Sequence, residues 1–227
     1  GAYDAFGVCN GDGTIQGALD NSLAGDTISI PAGAYIEALV ITHSIYLIAE
    51  GEVLLDVSGS TTGVAIEAGV SNVLIDGLDI TGNSLTGSGI TINPGCANVE
   101  IRDNSISQIF LPGGGNQSPL SYGILCWGDS NPIAPPSGIV IVNNTIESVL
   151  GSAISLGSNT ESVEIRDNSF DNIIPVEYLG SPLAIGIQAE LANNLEIFGN
   201  SYSNLLQSNS LVTVSYTHLR AHETHEN

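Results

Sequence analysis

"NVEIRDNSISQI", residues 98–109, returns at 162–173 as "SVEIRDNSFDNI" with only four substitutions. Both copies place apolar residues at alternate positions, and both interrupt the alternation at an Asp-Asn-Ser triplet. A period of two is typical of a strand with one buried face, and Asn and Asp are common where a chain turns. The stretch therefore predicts a repeated unit of short strands that are separated by tight turns.

Three weaker copies follow the same pattern, "NVLIDGLDI" from Asn72, "GIVIVNNTI" from Gly138 and "NLEIFGNSY" from Asn194. A unit of this size cannot bury its apolar face alone, whereas stacked units bury a continuous core. Stacking brings equivalent residues about 4.8 Å apart and forms columns of like side chains. The predicted inward columns are Val73/Val99/Ile139/Val163/Leu195, Ile75/Ile101/Ile141/Ile165/Ile197, Leu78/Asn104/Asn144/Asn168/Asn200 and Ile80/Ile106/Ile146/Phe170/Tyr202.

Before the repeats lies "TIQGALDNSLAGDTISIPAGAYIEALVITHSIYLIAEG", residues 14–51. Together with the repeats, this segment resembles the right-handed parallel β-helix proteins of the pectin-lyase-like superfamily, in which an entry helix caps the first coil. The resemblance implies an all-β fold, a right-handed parallel β-helix (solenoid) with a short N-terminal capping helix. We expect a lead-in at 1–13 and one β-helix domain at 14–210, in which 14–24 form the cap helix.

The last segment, residues 211–227, breaks the repeat and is expected to be a non-native or disordered tail. Its "SYTHLRAHET" resembles translated sequencing-adapter read-through at the end of metagenomic genes, and the chain contains no Met. Both features indicate a fragment of a longer protein.

The charge balance restricts the classes of partner. Three Arg and no Lys stand against 24 Asp and Glu, which gives a net charge of −21. Nucleic-acid binding needs a basic surface to neutralise phosphates, so no nucleic-acid partner is expected. No apolar run approaches the roughly 18 residues of a membrane span.

Unequal unit lengths indicate a binding surface. The insertions 110–122 and 174–185 follow the same strand of their units, and the unit between them closes with only "LGS" at 150–152. Two long loops around a short one form a cleft, and a third insertion at 128–137 lies at another corner. Aromatic rings stack on the apolar faces of sugars, although they also cover core edges. The candidate ligand-binding residues are Phe110, Tyr122, Trp127, Asp129, Glu177 and Tyr178.

Arg102 and Arg166 are the weak candidates for catalysis, together with Asp103 and Asp167. The β-helix lyases that the chain resembles use an Arg as base and Ca²⁺ on carboxylates. The alternative is structural, because Glu100 and Glu164 lie two residues before the arginines and can pair with them on the surface.

The lyase pattern Arg-x-Pro-x-x-Arg is absent, and so are the polygalacturonase and pectin methylesterase signatures. We therefore expect an extracellular or cell-surface scaffold that binds carbohydrate. No cofactor is expected, although "NGDG" at 10–13 and the loop acids leave Ca²⁺ open. The alternatives are a polysaccharide lyase or glycoside hydrolase that uses the cleft, and a purely structural surface or adhesin repeat.

Overall fold

A computed structural model describes residues 13–112, 121–128, 134–178, 181–204, 210–216 and 219–222. The described elements are α1 (Ile15–Asp20), β1 (Asp26–Ile36), β2 (Leu39–Ile41), β3 (Ile45–Asp56), β4 (Thr62–Ile66), β5 (Ser71–Thr81), β6 (Ser88–Ile92), β7 (Ala97–Arg102), β8 (Ser105–Ile109), β9 (Ser121–Cys126), β10 (Ser137–Val142), β11 (Thr145–Leu156), β12 (Glu161–Arg166), β13 (Ser169–Ile174), β14 (Val176–Tyr178), β15 (Ser181–Leu183), β16 (Ile185–Phe198), β17 (Ser201–Ser203), β18 (Ser210–Tyr216) and β19 (Leu219–His222).

The strands wind into a coil with three parallel faces. The first face contains β2, β4, β6, β9, the second half of β11, the first half of β16, and β18. The second face contains the first halves of β1, β3 and β5, then β7, β10, β12, the second half of β16, and β19. The third face contains the second halves of β1, β3 and β5, then β8, the first half of β11, β13 and β17.

The predicted inward columns are confirmed. Ile101 pairs with Ile141, and Ile141 pairs with Ile165, so the two copies of the opening repeat lie two rungs apart. All three side chains are fully buried. The column extends two coils further towards the N-terminus than predicted, because Leu47 of β3 pairs with Ile75 of β5 and Ile28 of β1 pairs with Leu47.

The asparagines form a continuous buried ladder. The amide nitrogen of Asn104 donates to Asn144 Oδ1 at 3.0 Å, Asn144 donates to Asn168 at 3.0 Å, and Asn168 donates to Asn200 at 3.0 Å. The same oxygens also accept from the backbone N–H of the preceding rung, and the ladder begins where Leu78 N donates to Asn104 Oδ1. At this corner the buried asparagine amides therefore have hydrogen-bond partners from one coil to the next.

A short helix closes the N-terminal end, as predicted. Thr14 is the N-cap of α1, and the carboxylate of Glu37 accepts from the N–H groups of Ile15 and Gln16. The side-chain amide of Gln16 accepts from the N–H of Val40 and donates to its C=O. Gln16 thus takes the place of a neighbouring strand at the edge of β2, where open backbone groups would otherwise invite another chain.

The coil does not stop at residue 210. Strands β18 and β19 pair with β16 in the first and second faces, so residues 210–216 and 219–222 continue two of the three faces. The bounds expected for the β-helix domain and its tail stay predictions. That 211–227 is foreign to the natural protein stays a prediction.

Candidate functional site

Two of the insertions leave the coil at one corner, between the third and first faces. One lies between β8 and β9 and the other between β13 and β16, whereas β11 passes the same corner without interruption. The second insertion carries an antiparallel hairpin of β14 and β15. Residues 113–120 and 179–180 lie outside the described part of the chain, so the cleft between the two loops stays a prediction.

The aromatic candidates occupy different surroundings. Phe110 is half-buried, and its N–H donates to the carbonyl of Asn83 at the loop corner. Tyr122 lies on the first face, where Ser88 and Ser152 are its register partners. Trp127 follows β9 at the next corner and is 54 % exposed. The structure therefore places Tyr122 on β9, Trp127 directly after this strand and Phe110 before it.

Three candidate binding residues lie wholly or partly outside the part of the chain that the structure describes. Asp129 lies outside the described residues. Glu177 and Tyr178 belong to β14, but only their backbone is described. Their proposed role in ligand binding stays a prediction.

The outer side of the first face combines a half-buried phenol with exposed polar groups. Burial raises the pKa of Tyr122, and the carboxylate of Glu190 raises that pKa further. Tyr122 of β9 and Glu190 of β16 belong to strands of the same face and lie two coils apart. The side chain of Gln188 donates to Glu190 Oε1 at 3.4 Å. Sequence reasoning missed Gln188 and Glu190, although both belong to the strand that holds inward Ile187 and Ala189.

The arginine candidates are occupied by ion pairs on the second face. Arg102 pairs with Asp76 of the previous coil at 2.7 Å and with Glu100 of its own strand at 3.3 Å. The hydrogen bond to Asp76 is the main cause that raises the pKa of Arg102. Such a guanidinium does not serve as a general base near neutral pH, because it stays charged and hydrogen-bonded. Sequence reasoning did not identify Asp76 as the partner of Arg102, because the two residues are 26 positions apart in the chain.

Arg166 is held in the same way by its own strand. It donates to Glu164 and, at 3.2 Å, to Asp167. The hydrogen bond to Glu164 is the main cause that raises the pKa of Arg166. Pairing with the preceding glutamate is the structural alternative that the sequence offered for both arginines.

Asp103 and Asp167 precede the asparagine ladder at the corner between the second and third faces. Asp103 has φ of 56°, and its carboxylate accepts from the exposed side-chain amide of Asn143 in the next coil. Asp167 has the same φ of 56°. Both residues turn the chain in the left-handed region, which Asp and Asn tolerate better than most residues.

A groove of about 820 Å³ lies at the same corner in the N-terminal half. Four residues of β3 lie between Ile48 and Val53, whereas only Gly77 of β5 lies between their partners Asp76 and Leu78. This difference in corner length forms the groove. The lining residues are Ala32, Gly33, Gly51, Glu52, Val53, Leu54, Gly77, Leu78, Asp79, Asp103 and Ser105.

The described residues do not contain three His, Cys, Asp or Glu side chains grouped so that they could hold a metal ion. A site for Ca²⁺ therefore stays a hypothesis. None of the helices in the described ranges is long and apolar enough to span a membrane.

Parallel strands on three faces, an internal asparagine ladder and loops at the corners define a parallel β-helix protein. The chain belongs to the right-handed β-helix family, whose "Right handed beta helix region" matches residues 39–205. No curated protein matches the chain in sequence.

Several solved structures are similar to the chain. Pectate lyase Pel9A matches with a TM-score of 0.53 and 12 % identity over 92 % of this chain and 73 % of the lyase. A pectin methylesterase from Aspergillus niger matches with a TM-score of 0.41 and 13 % identity over 94 % of this chain and 86 % of the esterase. An alginate lyase from a Paenibacillus strain matches with a TM-score of 0.39 and 15 % identity over 91 % of this chain and 96 % of the lyase.

Proposed function

We propose that this chain is an extracellular or cell-surface β-helix protein that binds a polysaccharide on the outer side of its first face. The observation that carries the proposal is the half-buried ring of Tyr122 on that face, in register with Ser88 and Ser152, with Gln188 and Glu190 on the strand two coils away. An aromatic ring next to hydrogen-bonding groups is suited to a sugar, which has apolar faces and a rim of hydroxyl groups.

The charges on this face favour a neutral glycan. Glu190 accepts hydrogen bonds from hydroxyl groups, and the amide of Gln188 offers both a donor and an acceptor. Arg102 and Arg166 lie on the second face, where carboxylates already occupy them. An acidic glycan would meet a chain with a net charge of −21 and would need cations to offset the repulsion.

The enzyme alternative gains no support from the described residues. Its candidates Arg102 and Arg166 are ion-paired, and Asp103 and Asp167 turn the chain at a different corner from the loops. The fold itself hosts many activities and decides none of them.

The test is binding of the full chain to an array of neutral and acidic polysaccharides, with a calcium chelator and with added Ca²⁺. We expect binding to neutral glycans without Ca²⁺ and a loss of about five- to tenfold in affinity for Tyr122→Ala, as for other aromatic contacts. Tyr46→Ala is the matched control, because Tyr46 is also partly exposed but lies on the second face.

Glu190→Ala is a second variant that does not disturb the core, since Glu190 is exposed. It should weaken binding of the same neutral glycan. Absence of binding to every glycan, or equal affinity of all three variants and the parent, would refute the proposed function.

A further inference from the structure

The groove at the corner between the second and third faces is lined by three carboxylates and by no cation. These are the exposed side chains of Glu52, Asp79 and Asp103. Asp103 accepts a hydrogen bond from Asn143 and lies 4.0 Å from Arg102. Glu52 and Asp79 have no hydrogen-bond or ion-pair partner among the described residues. The groove therefore has an uncompensated negative charge.

The three carboxylates come from successive coils. Glu52 belongs to β3 and Asp79 to β5, and Asp103 directly follows β7. Because β3 pairs with β5 and β5 pairs with β7, each coil contributes one carboxylate, and neighbouring coils are about 4.8 Å apart. Charges that are spread along the coil axis suit a ligand with several separate cations better than they suit a single metal ion.

The groove also offers apolar surface and a hydroxyl group next to the charge. Leu54, which is 38 % exposed, is the register partner of Asp79 in the preceding coil. Ser105 is the register partner of Asp79 in the following coil. One row of the groove thus contains an aliphatic side chain, a carboxylate and a hydroxyl, which together match the C–H groups, ammonium group and hydroxyl groups of an amino sugar.

A glycine corner keeps the groove open. Gly77 turns the chain of β5 with φ of 78°, and a Cβ there would lie 3.2 Å from the Cβ of Ala49. No side chain therefore projects from this corner into the groove. Its volume of about 820 Å³ lies in the range of about 300–1,000 Å³ that is typical of ligand pockets.

Charge complementarity restricts the occupant of the groove. A second copy of this chain carries the same net charge of −21, and an acidic glycan is also anionic, so both are repelled. A neutral glycan leaves the unpaired carboxylates of Glu52 and Asp79 without a counter-charge. A cationic ligand gains charge-assisted hydrogen bonds from both.

We propose that this groove binds an amino-glycan, a short run of sugar rings that carry free ammonium groups. The ammonium groups donate to Glu52 and Asp79, the C–H groups of a ring pack on Leu54, and Ser105 bonds to a ring hydroxyl. In a coil with three faces, this corner is opposite to the first face. The inference therefore goes beyond the proposed function and does not depend on it.

The experiment is titration calorimetry of the full chain with a glucosamine trisaccharide at about pH 5.5, above the usual carboxyl pKa values of about 4. The N-acetylglucosamine trisaccharide is the matched neutral ligand. We expect binding of the amino sugar, an affinity that falls steeply as the salt concentration rises, and no binding of the N-acetylated sugar.

Glu52→Gln and Asp79→Asn should each lower the affinity for the glucosamine trisaccharide by roughly three- to tenfold, since each removes a charge-assisted hydrogen bond. Glu147→Gln is the matched control, because Glu147 is also an exposed glutamate of the third face but does not line the groove. Its effect should stay within about twofold. Equal losses in all three variants would mean diffuse attraction to an acidic surface and would refute the inference.

Leu54→Lys keeps every carboxylate and places a cation next to Asp79, so it should lower the affinity at least about tenfold. Leu85→Lys is its control, because Leu85 is 56 % exposed and lies outside the groove lining. The melting temperatures of both variants show that the fold is intact. If both lysines reduce binding equally, the groove is not the site.

Spermidine, which carries as many amines as the trisaccharide, tests the contribution of the sugar rings. Binding of spermidine as tight as that of the trisaccharide would show that the groove recognises charge alone, and the assignment to an amino-glycan would be wrong. No binding of the glucosamine trisaccharide refutes the inference and leaves the proposed function untouched. Tyr122→Ala should leave binding in the groove unchanged, so the two proposals fail separately.

Discussion

Thr160 is the buried residue that fits its surroundings least well. It is fully buried, and its hydroxyl has no hydrogen-bond partner among the described residues. Backbone hydrogen bonds from rung to rung place it in one column with Val70, Cys96, Pro136 and Ala192. A buried hydroxyl without a partner retains its desolvation cost, which a methyl group of similar shape does not have.

We therefore predict that Thr160→Val raises the free energy of unfolding by about 1 kcal/mol. Chemical denaturation of the two proteins measures the difference. Ser152→Ala is the control, because the equally buried hydroxyl of Ser152 donates to the carbonyl of Ile154 at 2.9 Å and its removal should destabilise the chain. A loss of stability in Thr160→Val would show that this hydroxyl is satisfied.

Tyr122 gives a prediction about pH. Burial and the nearby Glu190 raise its pKa above the ordinary value of 10.0. The raised pKa means that the folded state favours the neutral phenol. This contribution to stability is fully present below the unfolded pKa, about 10, and is lost as the pH rises through the folded pKa. Tyr122→Phe should therefore reduce the loss of stability in alkali. Chemical denaturation between about pH 8 and 11, on both sides of the unfolded pKa of about 10, measures the difference.

Glu190→Gln provides the corresponding test of the contact between the two residues. Removal of the carboxylate charge should lower the pKa of Tyr122 in an ultraviolet titration of the phenolate. An unchanged titration curve would contradict the placement of both groups on one surface.

Residue types that repeat in register could be predicted from the sequence, and residues defined by contacts between coils could not. The Ile101 column is confirmed because a period of two states directly which side chains point inwards. The ion pair of Arg102 with Asp76 needs the register between coils. The bulge at Leu191 needs the pairing of β16 with β18, which the sequence pattern does not contain.

At the scale of the structural element, the asparagine ladder fixes the corner between the second and third faces. Asn168 accepts from the backbone and side chain of Asn144, and it donates to Asn200 and to the carbonyl of Ile141. Removing this side chain leaves several buried groups without partners at once, and coupled networks lose more than a single bond.

We predict that Asn168→Ala lowers the free energy of unfolding by about 3 kcal/mol. Asn98→Gly is the control, because Asn98 belongs to an exposed ladder, in which it donates to Asn72 at 3.2 Å. Glycine adopts the positive φ of that position without strain, so its effect should stay within about 0.5 kcal/mol. Equal effects of both changes would mean that burial of the ladder adds nothing.

The loops show where prediction from the sequence ends for elements. That the two insertions share a corner followed from their place in the repeat, and the order of β8, β9, β13 and β16 confirms it. The antiparallel hairpin of β14 and β15 was not predicted, because its "VEYLGSPL" offers only a few alternating residues around Gly180. The groove beside Gly77 was also missed, because it depends on the different lengths of two neighbouring corners.

At the scale of the whole molecule, the charge distribution opposes the compact state. A net charge of −21 is spread over stacked coils that repeat every 4.8 Å or so, and the described ion pairs of Arg102 and Arg166 offset only a few of the carboxylates. Repulsion between exposed like charges is long-ranged at low salt and weakens as ions screen it.

We predict that the melting temperature rises with ionic strength, with the largest change between roughly 0.01 M and 0.1 M NaCl, where the screening length falls from about 30 Å to about 10 Å. Calorimetry over this range measures the effect. A variant in which exposed Glu161 is replaced by Gln should show a smaller rise, because it carries one charge fewer. A melting temperature that falls with salt would mean that the ion pairs outweigh the repulsion.

Because the ligand proposed for the first face is neutral, its affinity should stay constant over the same range, and a steep dependence on salt would instead indicate a charged ligand.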